Sequence, residues 1–323
     1  MPVDAAGDCR WLSAHLVLDP VHGDGLYGGA GDRVALDLVA PLARHAAAAG
    51  WARRWFFIRY RDRVPHLRFR LFGPAARLES EARPAIETAA AADPRVGEIA
   101  WVPYEPELER YAGAAGVTVA EAIFEASSET ALAMLAKLPP AGDGGESGDD
   151  RGARLGKALL AALVALHVFL GERWQAAHLM RLVSRSILDQ LFSGETASTA
   201  AWRDAFERGY ERQSELLTRF VDAGWSALET AAGDALPDEL AAYRDALVRA
   251  RGRLAGLAAV GRLEASPGQV APWGPELAMR LLPSYVHMTN NRLGVRVPEE
   301  SYLALAVAAA LGDSAAPARS LAG

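Results

Sequence analysis

The chain has a single cysteine, Cys9, among its 323 residues. One thiol cannot close an intrachain disulfide, so no disulfide framework organises the fold, and the usage suits a reducing compartment such as the cytoplasm. No CxxC, HExxH or spaced Cys/His cluster is present, so the sequence predicts no metal site. Long apolar runs are also missing. The most apolar segment, residues 158–170, has roughly half of the ~20 residues that a bilayer span needs and is interrupted by His167. It predicts a buried helix, and no membrane partner is expected. The opening stretch MPVDAAGDCRWLSAHLVLDP lacks the basic start and continuous apolar run of a signal peptide. Basic excess is lacking too: 34 Lys and Arg stand against 40 Asp and Glu, for a net charge of −6. That balance argues against a nucleic-acid partner. Residues 23–31 are glycine-rich and lie between a strand and a helix, but neither GxGxxG nor a Walker sequence occurs there. A flexible loop is expected rather than a phosphate cradle.

What is present is material for a core, with 51% apolar and 23% charged residues and a mean hydropathy of +0.03. Residues 11–18 (WLSAHLVL), 55–60 (WFFIRY), 66–72 (HLRFRLF) and 98–104 (EIAWVPY) have strand character. The middle two predict a hairpin through RDRVP. The last is expected at a sheet edge, because Pro103 cannot donate to a ladder. Helical spacing marks residues 34–49, with Leu36, Val39 and Leu42 on one side and Gly50 as a stop, and then 78–92 and 119–138. Residues 139–152 (PPAGDGGESGDDRG) predict a flexible loop. Helical periodicity fills 153–261, with breaks expected at Gly194, at Gly224–Trp225 and over 233–237, and no internal repeat is found. The predicted fold is α+β: a mixed, largely antiparallel sheet covered by helices, with a mostly helical C-terminal half. One domain over 1–323 is expected, divided into a sheet-rich half (1–138), the loop (139–152) and a helical half (153–323).

Three stretches carry the chemistry. In HLRFR, His66, Arg68 and Arg70 share one strand face at period two. Such a face either holds a carboxylate or phosphate, or lies on the solvated outside of a sheet paired with acids. Residues 104–111 (YEPELERY) follow the last strand and combine acids, an arginine and two phenols. They can position a peptide and move protons, or form a charged turn with internal ion pairs. Residues 284–294 (SYVHMTNNRLG) follow Pro283, a common first helical residue, and Gly294 and Pro298 are expected to end the element. Ser284 and His287 lie at i and i+3 on one face, and Asn291 follows at i+4 from His287. A histidine flanked by hydroxyl and amide groups serves either as an acid/base or as a structural residue.

The strings WFFIRYRD, PHLRFRLFG, YEPELERYAG and HMTNNRLG resemble the successive hallmarks of the lantibiotic dehydratase C-terminal domain. VAEAIFEASSE stands between the last two, as in that family. The same domain also stands alone in thiopeptide-type bacteriocin biosynthesis. Order and spacing agree from residue 11 to about residue 311.

The resemblance implies an enzyme that matures a ribosomally made peptide (a RiPP). In full-length dehydratases a large preceding domain glutamylates Ser or Thr using glutamyl-tRNA, and the C-terminal domain then eliminates glutamate. That large domain has no counterpart in these residues, so a complete dehydratase is not expected. The first role implied is a pyridine synthase. It joins two dehydroalanines of a linear thiopeptide precursor in a formal [4+2] aza-cycloaddition and then expels water and leader peptide, leaving a pyridine or related six-membered ring. The alternative is a split glutamate-eliminating lyase that makes dehydroalanine or dehydrobutyrine, and a third reading is a non-catalytic leader-binding subunit. By motif position Arg68, Arg70, Arg110 and His287 match the family's elimination residues and are expected to converge on one cavity. For cycloaddition the implied catalytic candidates are His287, Tyr104, Glu105, Ser284 and Tyr285. The implied substrate-binding residues are Arg59, Arg68, Arg70, Arg110 and Asn291. Two departures lean toward the cyclase. Ala112-Gly113 follows Tyr111 where the family usually has two glycines, and Thr289-Asn290 stands where many elimination domains carry histidine and cysteine. The partners implied are a precursor peptide with its leader and other thiopeptide or lanthipeptide maturation enzymes. No cofactor is implied, since neither reaction is a redox step.

Overall fold

The computed structural model describes residues 8–139, 147–191, 196–230 and 236–313. Strands β1 (Cys9–Leu18), β2 (Arg54–Arg61), β3 (Pro65–Pro74) and β4 (Val96–Trp101) form a sheet in the order β2-β3-β1-β4, antiparallel at every pairing. All four expected strands are there. β4 does lie at an edge but is shorter than expected, stopping at Trp101. Pro103 falls just beyond it, where no ladder N–H is needed.

The alternation in β3 divides the sheet into two unlike faces. Leu67, Phe69 and Leu71 are at most 1% exposed and join Leu12, Ala14 and Leu16 of β1 in an apolar core. Helices α1 (Gly29–Arg33), α2 (Ala40–Ala48), α3 (Ala75–Arg77) and α4 (Arg83–Ala92) lie in the segments around that core. A π-helical turn, Val34–Val39, runs between α1 and α2, and a second, Leu78–Ala82, runs between α3 and α4. Gly50 follows α2 at φ +73°, as its role as a helix stop requires. Residues 23–31 differ from the expected loop: Pro20–Tyr27 winds as a 3-10 turn and α1 starts at Gly29. The side chain of Asp19 caps that turn by accepting from the Val21 amide.

His66, Arg68 and Arg70 occupy the other face, which is not an open outer surface. By register Phe72, Arg70 and Arg68 stand beside Trp11, Ser13 and His15 of β1, and Arg70 and His66 stand beside Phe56 and Tyr60 of β2. Helix α5 (Gly113–Leu135) packs across this side, and Phe56 belongs to the core of the helical half. That half contains α6 (Gly148–Leu170), α7 (Arg173–Leu191), α8 (Thr196–Glu229), α9 (Asp238–Ala259), α10 (Pro275–Arg292) and α11 (Val297–Asp313). A short hairpin, β5 (Glu264–Ser266) and β6 (Gln269–Val270), precedes α10.

Helix α6 contains the apolar run that the sequence assigns to a buried helix. By length and composition it could cross a membrane, but 61% of its most apolar window is buried by the protein itself. Three expectations need correction. Gly224 and Trp225 do not break the chain; they lie inside α8, where Trp225 is fully buried and donates its indole N–H to Glu229. Pro283 does not open a helix, because α10 begins at Pro275 and runs through it. Pro298 belongs to the first turn of α11 rather than to the end of α10, which Gly294 closes at φ +75°. The expected break at Gly194 and most of the one over 233–237 lie outside the described residues, as do residues 140–146 of the expected loop. Its last part, from Gly148, is already α6, whose first turn Ser147 caps through the Asp150 amide.

Candidate active site

Helix α10 presents three different faces, and its sequence dictates them. Tyr285, Thr289 and Arg292 turn inward and are at most 3% exposed. Asn291 turns toward the sheet. Met279, Pro283, Ser284 and His287 line a cavity of about 540 Å3. Pro283 has no N–H to give the carbonyl of Met279, and both residues sit on the cavity wall, so the missing helical bond falls at the hollow.

The cavity is mostly apolar, walled by Leu159, Leu179, Met180, Val183, Ile187, Val286, Leu303 and Val307 from α6, α7, α10 and α11. Ser186, Gln190, Arg280 and Asn290 also reach its wall, and two polar pairs stand out. Arg110 Nε donates to Ser284 Oγ at 2.7 Å, and Arg110 Nη1 is held by Glu107 at 2.9 Å. The Ser284 oxygen therefore receives a charged donor, and its hydroxyl is also within hydrogen-bond reach of the Tyr111 phenol. One turn along, His287 Nδ1 lies 2.9 and 3.1 Å from the two carboxylate oxygens of Glu300. Glu300 is 5% exposed, and burial pushes its carboxyl up while His287 opposes that shift.

A second cluster occupies the polar sheet face. The Arg68 guanidinium stacks 3.5 Å above the Tyr60 ring, and its Nε donates to His66 Nε2. Arg70 stacks over Tyr104 at 4.3 Å and over Phe56 at 5.3 Å. Burial lowers Arg70 to about 10, and burial followed by the charge of Arg68 lowers His15 to about 4. No carboxylate forms an ion pair with Arg68 or Arg70 among the described residues. A chain of rings packs Phe56 on Phe124, Phe124 on Tyr111 and Tyr111 on Tyr285, with centroids 5.3–5.9 Å apart. The phenol of Tyr111 is pushed up to about 12, chiefly by burial. Tyr285 is fully buried, its phenol is likewise pushed up by burial, and its hydroxyl has no partner among the described residues.

Of the four residues expected to converge, Arg110 and His287 line the cavity with Ser284, and Arg68 and Arg70 are not among its lining residues. Arg70 feels the charge of Glu107, the carboxylate that holds Arg110. Glu105 is exposed in the segment after β4. Arg59 and Asn291, expected to bind substrate, serve the fold. Arg59 is fully buried, pairs with Asp32 at 2.7 Å and donates to the carbonyls of Leu26 and Arg292. Burial pushes Asp32 up, but Arg59 and Arg154 more than reverse this and hold its carboxyl below the usual range. Asn291 binds the Arg59 backbone with both ends of its amide, accepting from N–H and donating to C=O at 2.8 Å each. Sequence reasoning passed over Glu300, which no local spacing ties to His287, and Arg292, although the latter stands in HMTNNRLG. Arg292 is a fully buried cation between Phe56 and Phe124, lowered by burial to about 9 and bonded to Ser128 Oγ and the Met288 carbonyl. Among the described residues no three His, Cys, Asp or Glu side chains group as a metal site.

The arrangement is close to known folds. The pyridine synthase TbtD from thiomuracin biosynthesis superposes with a TM-score of 0.69 at 20% identity, over 94% of this chain and 98% of that one. TsrL superposes with a TM-score of 0.67 at 18% identity, over 95% of both chains. The tRNA-dependent lantibiotic dehydratase MibB from Microbispora sp. 107891 gives 0.63 at 23% identity, over 97% of this chain. This chain spans only 29% of MibB's length. No curated sequence matches the chain. The family model described as "Lantibiotic biosynthesis dehydratase C-term" matches residues 11–311, and the protein belongs to that family.

Proposed function

We propose that this protein is a RiPP maturation enzyme of the pyridine synthase type. It joins two dehydroalanines of a linear thiopeptide precursor by formal [4+2] aza-cycloaddition, then expels water and the leader peptide to leave a six-membered nitrogen ring. The observation that carries this reading is the character of the cavity: a mostly apolar chamber that has the Ser284 hydroxyl and the His287 imidazole one turn apart on its wall. Dehydroalanines and their neighbouring amides are uncharged, and such a chamber suits them. Holding the two reacting ends together supplies most of the rate gain. Ser284, its oxygen already engaged by Arg110, donates to the amide oxygen that must adopt its imidic-acid form. His287 carries the protons needed for tautomerisation and for departure of the hydroxyl as water. The residues of the polar sheet face, Tyr104 among them, bind flanking peptide. The similarity in span to the pyridine synthase TbtD supports this reading.

One observation favours glutamate elimination as the second reading. The cations of the polar sheet face, Arg68 and Arg70 with His15 beside them, have no acid paired to them, as a site for a departing dicarboxylate requires. The purified protein, given a linear dehydrated peptide and separately a glutamylated peptide, distinguishes the two by mass spectrometry. The proposal expects loss of water and free leader from the first substrate and no change in the second. Glutamate loss from the second with the first untouched rejects it.

A further inference from the structure

From the contact between α10 and α11 we infer that Glu300 is a positioning residue for His287, fixing its tautomer and ring direction so that Nε2 faces the cavity. The inference rests on His287 being the proton carrier proposed above. Both oxygens of the Glu300 carboxylate lie within hydrogen-bond distance of Nδ1, at 2.9 and 3.1 Å, and the His287 ring makes no other hydrogen bond among the described residues. The carboxylate accepts, so the neutral ring carries its proton on Nδ1 and keeps the Nε2 lone pair for the cavity. An unrestrained imidazole would exchange tautomers and turn about its side-chain bonds. A base that must accept a proton at a fixed place gains from losing both freedoms.

The fold gives this pair a rigid frame. The turn after α10 is closed by hydrogen bonds from Leu293, Gly294 and Val295 to carbonyls of Thr289, Asn291 and Asn290. Gly294 holds φ +75°, and a Cβ there would lie 2.9 Å from the Tyr27 carbonyl oxygen. The direction in which α11 leaves is therefore set. Glu300 sits in its first turn, where the helix dipole favours a carboxylate. The neighbouring acid is diverted: Glu299 pairs with Arg151 and accepts from the Arg296 amide. Glu300 alone, 5% exposed, is left for the imidazole. Burial of a carboxylate whose polar partner is a cavity histidine is hard to account for by stability, since an apolar side chain fills such a place at lower desolvation cost.

The test pairs a structural readout with a kinetic one. In 15N spectra of the histidine rings, taken at a pH where the ring is neutral, His287 should show the Nδ1–H tautomer. Glu300→Leu, which removes the acceptor, should move it toward the Nε2–H form that free imidazole prefers. Its kcat should fall on the order of 10²-fold with peptide KM little changed. Glu300→Gln keeps an acceptor of the same length without the charge, guards against misfolding of the leucine variant, and should fall in between. A wild-type ring in the Nε2–H form overturns the inference. So does a folded Glu300→Leu or Glu300→Gln protein with wild-type turnover while His287→Ala is inactive. The tautomer measurement needs no turnover. If the proposed reaction is wrong, the wild-type protein will form no ring from the dehydrated peptide, and the spectra will still judge Glu300.

Discussion

His287 is the side chain on which the proposed chemistry turns, and its surroundings sharpen what its removal should do. It is 38% exposed at the cavity wall, with one nitrogen engaged by Glu300. His287→Ala takes away few core contacts, so folding should survive, while turnover should fall by roughly 10²–10⁴-fold. Activity measured beside circular dichroism and melting temperature checks this. Near-normal turnover in a normally folded variant would make His287 a packing residue and pass the acid/base role to Ser284. Ala112 presents a different kind of residue-scale question. It is the one non-glycine residue with positive φ among the described residues, at +63°. The left-handed region costs an L-residue roughly 1–2 kcal/mol, which glycine avoids at some loss in unfolded-state entropy. The departure from the family's usual glycine pair, visible in the sequence, thus leaves local strain beside Tyr111. Ala112→Gly should raise stability by about 1 kcal/mol in urea unfolding with an unchanged m-value. A destabilised variant would show that the Ala112 methyl, buried in the core of the helical half, outweighs the strain.

At the scale of elements, the edge of the sheet explains residues that had looked like ligands. Strand β2 is an edge strand, and its outward amides would otherwise stand open to another chain. Side chains close them in series: Trp55 N–H donates to Glu125, Phe57 N–H to Ser128 Oγ and Arg59 N–H to Asn291. Asn291→Ala should unpair both the N–H and the C=O of Arg59, at roughly 1–3 kcal/mol for each group, and so lower stability by about 2–6 kcal/mol. A loss below ~1 kcal/mol by chemical unfolding would mean that water replaces the clamp without penalty. The same row contains a pH sensor of stability. Burial pushes Glu125 up from 4.5 to about 7, although Arg54 and the Trp55 amide pull it down. Between these two values the folded state holds a proton that the unfolded state has released. Stability from this group is therefore full below pH 4.5 and is lost as pH rises toward 7. Allowing for partial exposure, the swing should be on the order of 1–2 kcal/mol. The melting-temperature difference between Glu125→Gln and the parent should grow in favour of the variant from pH 4.5 to pH 8, and a pH-independent difference would refute the shift. The strands themselves were legible from alternation and aromatic content, because period two is a local signal. The edge seal was not, since Asn291 and Arg59 lie 232 residues apart in sequence and only the packed fold joins them. Pro283 misled for a related reason: the residue type announces a helix start, but tertiary packing carries α10 through it.

For the molecule as a whole, the sheet separates two cores, and the cavity belongs to the helical one. The family strings sit on β2, β3, the segment before α5 and the end of α10, and the sequence leaves the mutual distances of these elements open. Arg68 and Arg70 share a strand face as alternation requires, yet the cavity is lined by Arg110 and His287 without them. Periodicity cannot report which of these residues share a cavity, because that depends on a strand, a turn and helices meeting. The size of the cavity bears on how a peptide must be handled. A cavity of about 540 Å3 can hold the reacting groups but not a long precursor. The cyclase reading asks it to gather two dehydroalanines that are far apart in a flexible chain, and ordering each residue between them costs roughly 1–2 kcal/mol. Contacts inside the cavity act on few atoms and cannot offset many such residues. Binding energy must therefore come from a remote part of the substrate, and the leader is the part that survives unchanged until the last step. The leader should bind noncovalently before any chemistry. A leaderless core peptide should be cyclised with kcat/KM lowered by at least ~10²-fold, the scale set by losing about 3 kcal/mol of remote binding. Leader added separately should restore little, since it no longer tethers the core. Comparing intact, leaderless and leader-supplemented peptide by mass spectrometry gives the three rates, and equal rates for the first two would mean that the cavity alone orders the chain.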